Sequence, residues 1–81
     1  MTDVATWLQE FARAAGGDTL DEAQRETILA LAGVAAHSSE RTAAPLTCWV
    51  AARVGISPAK ALEIARSLAE SFAETDQGPE G

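Results

Sequence analysis

The residues best suited to chemistry lie in one polar segment, residues 37–47, which interrupts an otherwise helical, alanine-rich chain. We name this segment the junction. His37, Arg41 and Thr47 supply an imidazole, a guanidinium and a hydroxyl there, and no apolar periodicity accounts for them. A guanidinium matches the shape of a carboxylate or a phosphate. We therefore expect these three residues to bind a partner or a ligand, with Ala44 and Pro45 shaping the loop.

The same residues also have a structural interpretation. A histidine in the last turn of a helix interacts favourably with the helix dipole and with the terminal carbonyls. Arg41 can act in the same way, or it can pair with Glu40 or with an acidic side chain elsewhere. In this alternative His37 and Arg41 lock the loop onto the bundle, and any interaction uses exposed apolar surface, for example in a homodimer.

A catalytic pair of His37 and Cys48 is the third possibility for this region. Such a pair requires hydrogen-bond contact and a group that orients the imidazole. Cys48 lies in the middle of an apolar helix beside Trp49, so we interpret it as a small buried hydrophobic residue. Eighty-one residues also leave no room for a second lobe that would enclose a substrate. We expect the protein not to be an enzyme.

Composition and charge limit the classes of partner. Six basic and twelve acidic residues give a formal net charge of −6, which opposes binding to nucleic acid or to an anionic membrane. One cysteine and one histidine cannot form an internal disulfide or a structural zinc site, and we expect neither a metal nor a cofactor. No signal sequence opens the chain, and no apolar run approaches the roughly 20 residues that span a bilayer. We expect a cytoplasmic protein.

Four helical patterns and no strand pattern are present. The first helix is predicted to begin after Thr2 or Asp3 and to end at the glycine pair 16–17. The second helix is predicted to run from a cap at Asp18, Thr19 or Asp21 to about His37.

Two prolines indicate where the remaining helices begin. Pro45 is predicted to exclude Ala44 from helical geometry and to begin a third helix that ends near Val54. Ser57 and Pro58 restart the chain as a fourth helix, which ends near Thr75.

Apolar faces at helical spacing predict how these helices pack. They comprise Val4, Trp7, Leu8 and Phe11 on the first helix; Ile28, Leu31, Ala32 and Ala35 on the second; and Ala61, Leu62, Ile64, Ala65, Leu68 and Phe72 on the fourth. The third helix is apolar through Leu46, Trp49, Val50 and Val54, which predicts a central position in the bundle.

The fold class that follows is all-α, as a compact four-helix bundle or an orthogonal helical array. Residues 1–75 form a single helical domain, and residues 76–81 form a disordered polar tail. Because much of the apolar content is alanine, the core is expected to be thin, with a net stability of roughly 3 to 5 kcal/mol unless a partner adds to it. Self-association or docking is therefore expected.

The junction also carries a family resemblance. His37, three residues, Arg41, one residue and then residues 43–47, Ala-Ala-Pro-Leu-Thr, resemble the signature of a small bacterial family of unknown function. Members of that family occur alone or attached to molybdenum cofactor guanylyltransferase-like proteins. Two positions depart from its pattern: Thr42 stands where proline is frequent, and Cys48 where a second threonine is frequent. The resemblance implies an association with molybdenum cofactor biosynthesis and transfers no catalytic residue.

Three functions remain open at this point. The first is a non-enzymatic accessory domain that docks a protein partner, with a molybdenum cofactor guanylyltransferase as the candidate. The second is a module that binds a small anionic ligand or a nucleotide phosphate through Arg41 and the first amides of the third helix. The third is a helix-turn-helix over residues 51–64, whose second helix presents a mixed set of charges that suits DNA poorly.

Overall fold

A computed structural model describes the backbone of residues 2–76 and the side chains of residues 2–74. Four helices follow one another along the chain: α1 (Val4–Ala15), α2 (Glu22–Ser38), α3 (Ala43–Val54) and α4 (Pro58–Asp76). The described residues contain no strand. The prediction of an all-α, four-helix protein is confirmed. Residues 77–81, most of the predicted disordered tail, lie outside the described residues.

The amino terminus of α1 is capped by Asp3, one of the two predicted caps. The backbone N–H of Thr6 donates to Oδ1 of Asp3 at 2.7 Å. This bond favours the ionised carboxylate and lowers the pKa of Asp3 below its ordinary value. At the other end Gly16 adopts φ 89°, a left-handed conformation that glycine reaches without a Cβ clash. The predicted boundaries of α1 are therefore confirmed.

Of the three residues predicted as possible caps of α2, Asp21 is the cap in the structure. The N–H of Gln24 donates to Oδ1 of Asp21 at 2.7 Å, and the N–H of Asp21 donates to Oε1 of Gln24 at 3.0 Å. These reciprocal bonds form a capping box that satisfies two otherwise unpaired amides.

The start of α3 differs from the prediction. The helix begins at Ala43, with Thr42 already in right-handed helical geometry at φ −67° and ψ −16°, so the prediction that Pro45 excludes Ala44 from the helix was wrong. Pro45 is the third helical residue. The first four amides of a helix have no partner within it, so the missing N–H of Pro45 costs no intrahelical bond there. The constraint that proline places on the preceding residue is a preference that this turn overrides.

The corner between α3 and α4 follows its local signals. Gly55 ends α3 at φ 90°, with its N–H directed to the carbonyls of Ala51 and Ala52. The hydroxyl of Ser57 then caps α4 by accepting from the N–H of Lys60 at 3.1 Å. Three predictions are confirmed here: α3 ends at Gly55, Ser57 caps α4, and Pro58 is the first residue of α4.

Packing is concentrated on α2. This helix packs against both α4 and α3, and within the described residues no other pair of helices makes more than marginal contact. Leu31 on α2 and Ala61 on α4 are the buried side chains of residues 2–74, with 2% and 5% of their surface exposed. The predicted thin core is confirmed, and it is centred on the seam between α2 and α4.

The central position predicted for α3 was wrong. Its large side chains, Leu46, Trp49, Val50 and Val54, are all exposed. The apolar face of α1 and the residues Ile64, Leu68 and Phe72 on α4 are exposed as well. Apolar periodicity identifies a helix face suited to packing against another surface, and it does not indicate whether that surface belongs to the same chain.

Within residues 2–76 no helix has both the length and the apolarity to cross a bilayer.

Two leucines on α2 provide a matched test of this packing. We expect Leu31→Ala to reduce the free energy of unfolding by about 2–5 kcal/mol, because it removes a buried side chain and leaves a cavity. Leu29→Ala, at a side chain that is 70% exposed, should change it by less than about 0.5 kcal/mol. Urea unfolding followed by circular dichroism measures both. Equal losses in the two variants would contradict the placement of the core at Leu31.

Candidate functional site

The junction is held by its own backbone. The N–H of Ser39 donates to the carbonyl of Ala35 at 3.0 Å as α2 ends. The N–H of Ala43 then donates to the carbonyl of Glu40 at 2.8 Å, and that of Ala44 to the carbonyl of Arg41 at 3.1 Å. These bonds close the loop between α2 and α3 and wind it directly into the first turn of α3.

The predicted site residues occupy different parts of this loop. His37 is exposed in the last turn of α2, and Arg41 is exposed in the turn that leads into α3. Thr47 is half-buried on the inner side of α3, facing α2 and α4. Within the described residues none of the three makes a side-chain hydrogen bond or an ion pair. The fold therefore places them around the connection between α2 and α3 without linking them.

The position of Arg41 bears on whether its guanidinium holds the loop in place or contacts another molecule. A cation just before the amino terminus of a helix faces the positive end of the helix dipole, which is unfavourable for stability. No carboxylate among the described residues pairs with it. The loop is thus closed by backbone bonds alone, and the guanidinium is free to contact another molecule.

The first turn of α3 offers little to an anion. Two of its amides, those of Ala43 and Ala44, are already donated to carbonyls of the junction, and Pro45 has none. Anion binding at a helix terminus depends on free amides that point outward. Phosphate binding at this position would thus rest almost entirely on the side chain of Arg41.

Cys48 lies on α3 and is partly buried. Burial raises the pKa of the Cys48 thiol, because a poorly solvated site disfavours the thiolate. Within the described residues no hydrogen bond joins Cys48 to His37, and no cluster of three or more metal-ligating side chains is present. The thiol therefore remains protonated near neutral pH and is a poor nucleophile.

The outer face of α3 carries exposed residues, and two of them, Leu46 and Trp49, were predicted to lie in the core. Trp49 is 73% exposed at mid-helix, and Leu46 is exposed one turn before it. Arg53 follows Trp49 by four residues, so its side chain lies on the same face of the helix. We name these three residues the α3 outer face. One feature of the sequence indicates this exposed face. The helix α3 is apolar around most of its circumference, and this apolar surface is larger than one neighbouring helix can cover.

A separate concave surface runs between the other side of α3 and the helices α2 and α4. This apolar groove has a volume of about 250 Å³. Its walls include Leu31 on α2, Val50 on α3 and the α4 residues Ile64, Leu68 and Phe72, with Thr47 at its edge. None of the charged side chains among residues 2–74 lines it. An uncharged, apolar groove of this kind is suited to apolar side chains and not to an ionic ligand.

The corner that resembles a helix-turn-helix presents little positive charge. Lys60, at the start of its second helix, forms an ion pair with Glu63 at 2.9 Å. Arg66 and the exposed Glu70 share the same helix. A recognition helix requires cations that are free to reach phosphates and bases.

Comparison with known proteins identifies a family and no described relative. The family whose description reads Domain of unknown function (DUF6457) matches residues 1–77. No curated protein and no solved structure matches the chain.

Removal of Arg41 tests whether this side chain supports the fold. We expect Arg41→Ala to change the free energy of unfolding by no more than about 0.5 kcal/mol, because the side chain is exposed and unpaired. Thermal and urea unfolding of the variant and the wild type provide the measurement. A loss well above 1 kcal/mol would instead show that the guanidinium locks the loop, since typical hydrogen bonds contribute about that much.

The reactivity of Cys48 tests the state of the thiol. We expect iodoacetamide to alkylate Cys48 in the folded protein more slowly than it alkylates free cysteine at the same pH, with the rate rising as the pH is raised through the elevated pKa. The urea-unfolded protein serves as the control and should react at the rate of free cysteine. Rapid alkylation of the folded protein at neutral pH would reopen the nucleophile hypothesis.

Proposed function

The chain belongs to DUF6457, a family of domains of unknown function, and we propose that it is a non-enzymatic accessory domain that docks a protein partner. The contact surface is the α3 outer face together with the junction side chains His37 and Arg41. Thr47 borders this surface on the inner side of α3.

The observation that carries the proposal is the exposure of Trp49 between two free arginines. Tryptophan and arginine are the residue types that most often dominate the binding energy of protein interfaces. Trp49 exposes 73% of its surface, and Arg41 and Arg53 have no ion pair within the described residues. An indole that exposes this much of its surface buries little apolar area within the isolated chain, so it contributes little to the stability of the fold.

Charge defines the kind of partner. The chain as a whole carries a formal net charge of −6, but its α3 outer face and the turn before it present two unpaired guanidinium groups. A partner with an apolar pocket for the indole and carboxylates beside that pocket fits this arrangement. The acidic remainder of the chain would repel the same partner elsewhere and so would fix its orientation.

The resemblance of the junction supports one candidate partner. The resemblance implies that related domains are also attached to molybdenum cofactor guanylyltransferase-like proteins, and an attached domain can contact the protein that carries it. We therefore propose a molybdenum cofactor guanylyltransferase as the partner, and molybdenum cofactor biosynthesis as the context. In this proposal the domain contributes binding and orientation, and the chemistry belongs to the enzyme.

The alternatives receive less support. An anionic ligand would have to bind through Arg41 without the first amides of α3, which are bonded or absent. Specific DNA binding would have to use a helix whose leading lysine is paired with Glu63 in a chain with a net negative charge. Neither alternative explains the exposed indole.

Calorimetric titration against a purified guanylyltransferase tests the proposal. We expect Trp49→Ala to weaken binding by about 2 kcal/mol or more, which is roughly a 30-fold increase in Kd, and Arg41→Ala by about 1 kcal/mol. Leu29→Ala is the matched control, because Leu29 is as exposed as Trp49 but lies on α2 outside the proposed surface. Its Kd should equal that of the wild type.

Four results would decide the matter. Binding that both Trp49→Ala and Arg41→Ala weaken supports the docking surface. Binding that neither variant weakens would place the contact elsewhere, and the absence of binding by the wild type would remove this enzyme as the partner. Stabilisation of the domain by inorganic phosphate, lost in Arg41→Ala, would favour the anionic-ligand alternative.

A further inference from the structure

We propose that the chain forms a reciprocal homodimer in which α1 of each copy packs across the apolar groove of the other copy. The contact uses surfaces distinct from the α3 outer face, so it does not rest on the proposed docking function. The occupant of the groove is identified by the fit between two unpartnered surfaces of the same chain.

The groove is the first of these surfaces. Ile64, Leu68 and Phe72 recur at helical spacing along its α4 wall and are all exposed. No side chain of α1 lines the groove within its own chain. The isolated chain therefore leaves the largest apolar side chains of its longest helix in contact with water, at a thermodynamic cost that a cover would remove.

The second surface is the apolar face of α1. Val4, Trp7 and Phe11 lie on one side of this helix and are exposed, and the rings of Trp7 and Phe11 stack with centroids 6.5 Å apart. The opposite side is polar and holds the ion pair between Glu10 and Arg13. The helix has the amphipathic form of an element that packs against another surface, yet it makes only marginal contact with the other helices of its chain.

The lengths of the two surfaces agree. α1 has 12 residues, which gives a helix of about 18 Å at 1.5 Å per residue. The α4 wall of the groove, from Ala61 to Phe72, also spans 12 residues and has about the same length. One α1 helix can thus cover the α4 wall from end to end.

The linker between α1 and α2, residues 16–21, explains why α1 covers the groove of another copy and not the groove of its own chain. Gly16 ends α1 in left-handed geometry, and the N–H of Gly17 donates to the carbonyl of Ala12 at 2.9 Å. This terminus is fixed by two backbone bonds, and in the conformation that it sets α1 does not reach its own groove. Exchange of one terminal element across a short linker is a common route to dimers.

The area available meets the need of a stable dimer. Taking about 200 Å² for a fully exposed aromatic side chain, the exposed parts of Trp7, Phe11 and Phe72 amount to roughly 350 Å² per copy. The exposed parts of Val4, Val50, Ile64 and Leu68 add a comparable area. The total of about 700 Å² per copy is close to the roughly 800 Å² that each partner contributes to a standard interface.

Charge places no obstacle at this contact. Two copies with a formal net charge of −6 each repel one another, so a dimer contact must avoid carboxylates. In the part of the chain that the structure describes, the groove has no charged lining residue, and the apolar face of α1 has none among Val4, Trp7, Leu8 and Phe11.

The mass of the full chain in solution tests the dimer. We expect light scattering after size exclusion to give twice the chain mass of 8.4 kDa for the wild type. Phe11→Asp on α1 and Leu68→Asp in the groove should each shift the mass to that of one chain. Gln9→Asp and Ala59→Asp add the same charge at exposed positions on the opposite faces of the same helices and should remain dimeric. Circular dichroism verifies that every variant retains its helices.

Mixing the two defective variants tests the reciprocal arrangement. An equimolar mixture of Phe11→Asp and Leu68→Asp can form a dimer in which the intact α1 of one chain meets the intact groove of the other. We expect this mixture to recover dimer that neither variant forms alone. Contacts of α1 with α1 would instead leave Leu68→Asp dimeric on its own, and contacts of groove with groove would leave Phe11→Asp dimeric on its own, so either result would overturn the reciprocal arrangement.

Each remaining outcome overturns the proposal. A wild type with the mass of one chain would show that the groove stays open or is covered within the chain. A dimer that persists in both Phe11→Asp and Leu68→Asp would place the contact elsewhere. The docking function is tested instead by Trp49→Ala, and neither dimer variant changes Trp49. Either proposal can therefore fail without the other.

Discussion

The structure depends on the seam that α2 makes with α4, where Leu31 and Ala61 are the buried side chains of the described residues. Within the described residues α3 packs mainly on α2, and α1 makes no more than marginal contact with the other helices. A core of this size sits at the lower limit of what supports a fold, where a single core supplies roughly 3 to 5 kcal/mol. Eleven large hydrophobic side chains among residues 2–74 remain exposed around it. The interactions proposed for this chain follow from that imbalance, because covering these side chains would both stabilise the fold and join it to other molecules.

Local structure was predictable from the sequence because its causes are local. Asp3, Asp21 and Ser57 cap helices through bonds that reach three residues, and Gly16 and Gly55 end helices at positions that require a left-handed backbone. The start of α3 was missed because a preference of the residue before proline was treated as a rule. The bonds from Ala43 and Ala44 back into the junction decide that start, and they involve backbone groups of ordinary residues that leave no signal in the sequence.

The packing of α3 and the contents of the candidate site were less predictable, for a different reason. Trp49 and Leu46 have the periodicity of core residues, and periodicity does not distinguish a neighbour in the same chain from one in another chain. His37, Arg41 and Thr47 were identified from their types, and the structure shows where each lies while leaving their role a prediction. In the account proposed here the exposed apolar surface divides into two parts: the face of α1 and the apolar groove join two copies, and the α3 outer face with Arg41 remains free to dock a partner.

The central claim is that the chain covers its apolar surface by association with another copy. The most direct measurement is the midpoint of thermal unfolding as a function of protein concentration, because association of folded chains stabilises them by mass action. The account predicts a midpoint that rises by several degrees as the concentration is raised a hundredfold, with loss of helical signal and dissociation in a single transition. A midpoint that is the same at every concentration would contradict it and would show that the small core at Leu31 is sufficient alone.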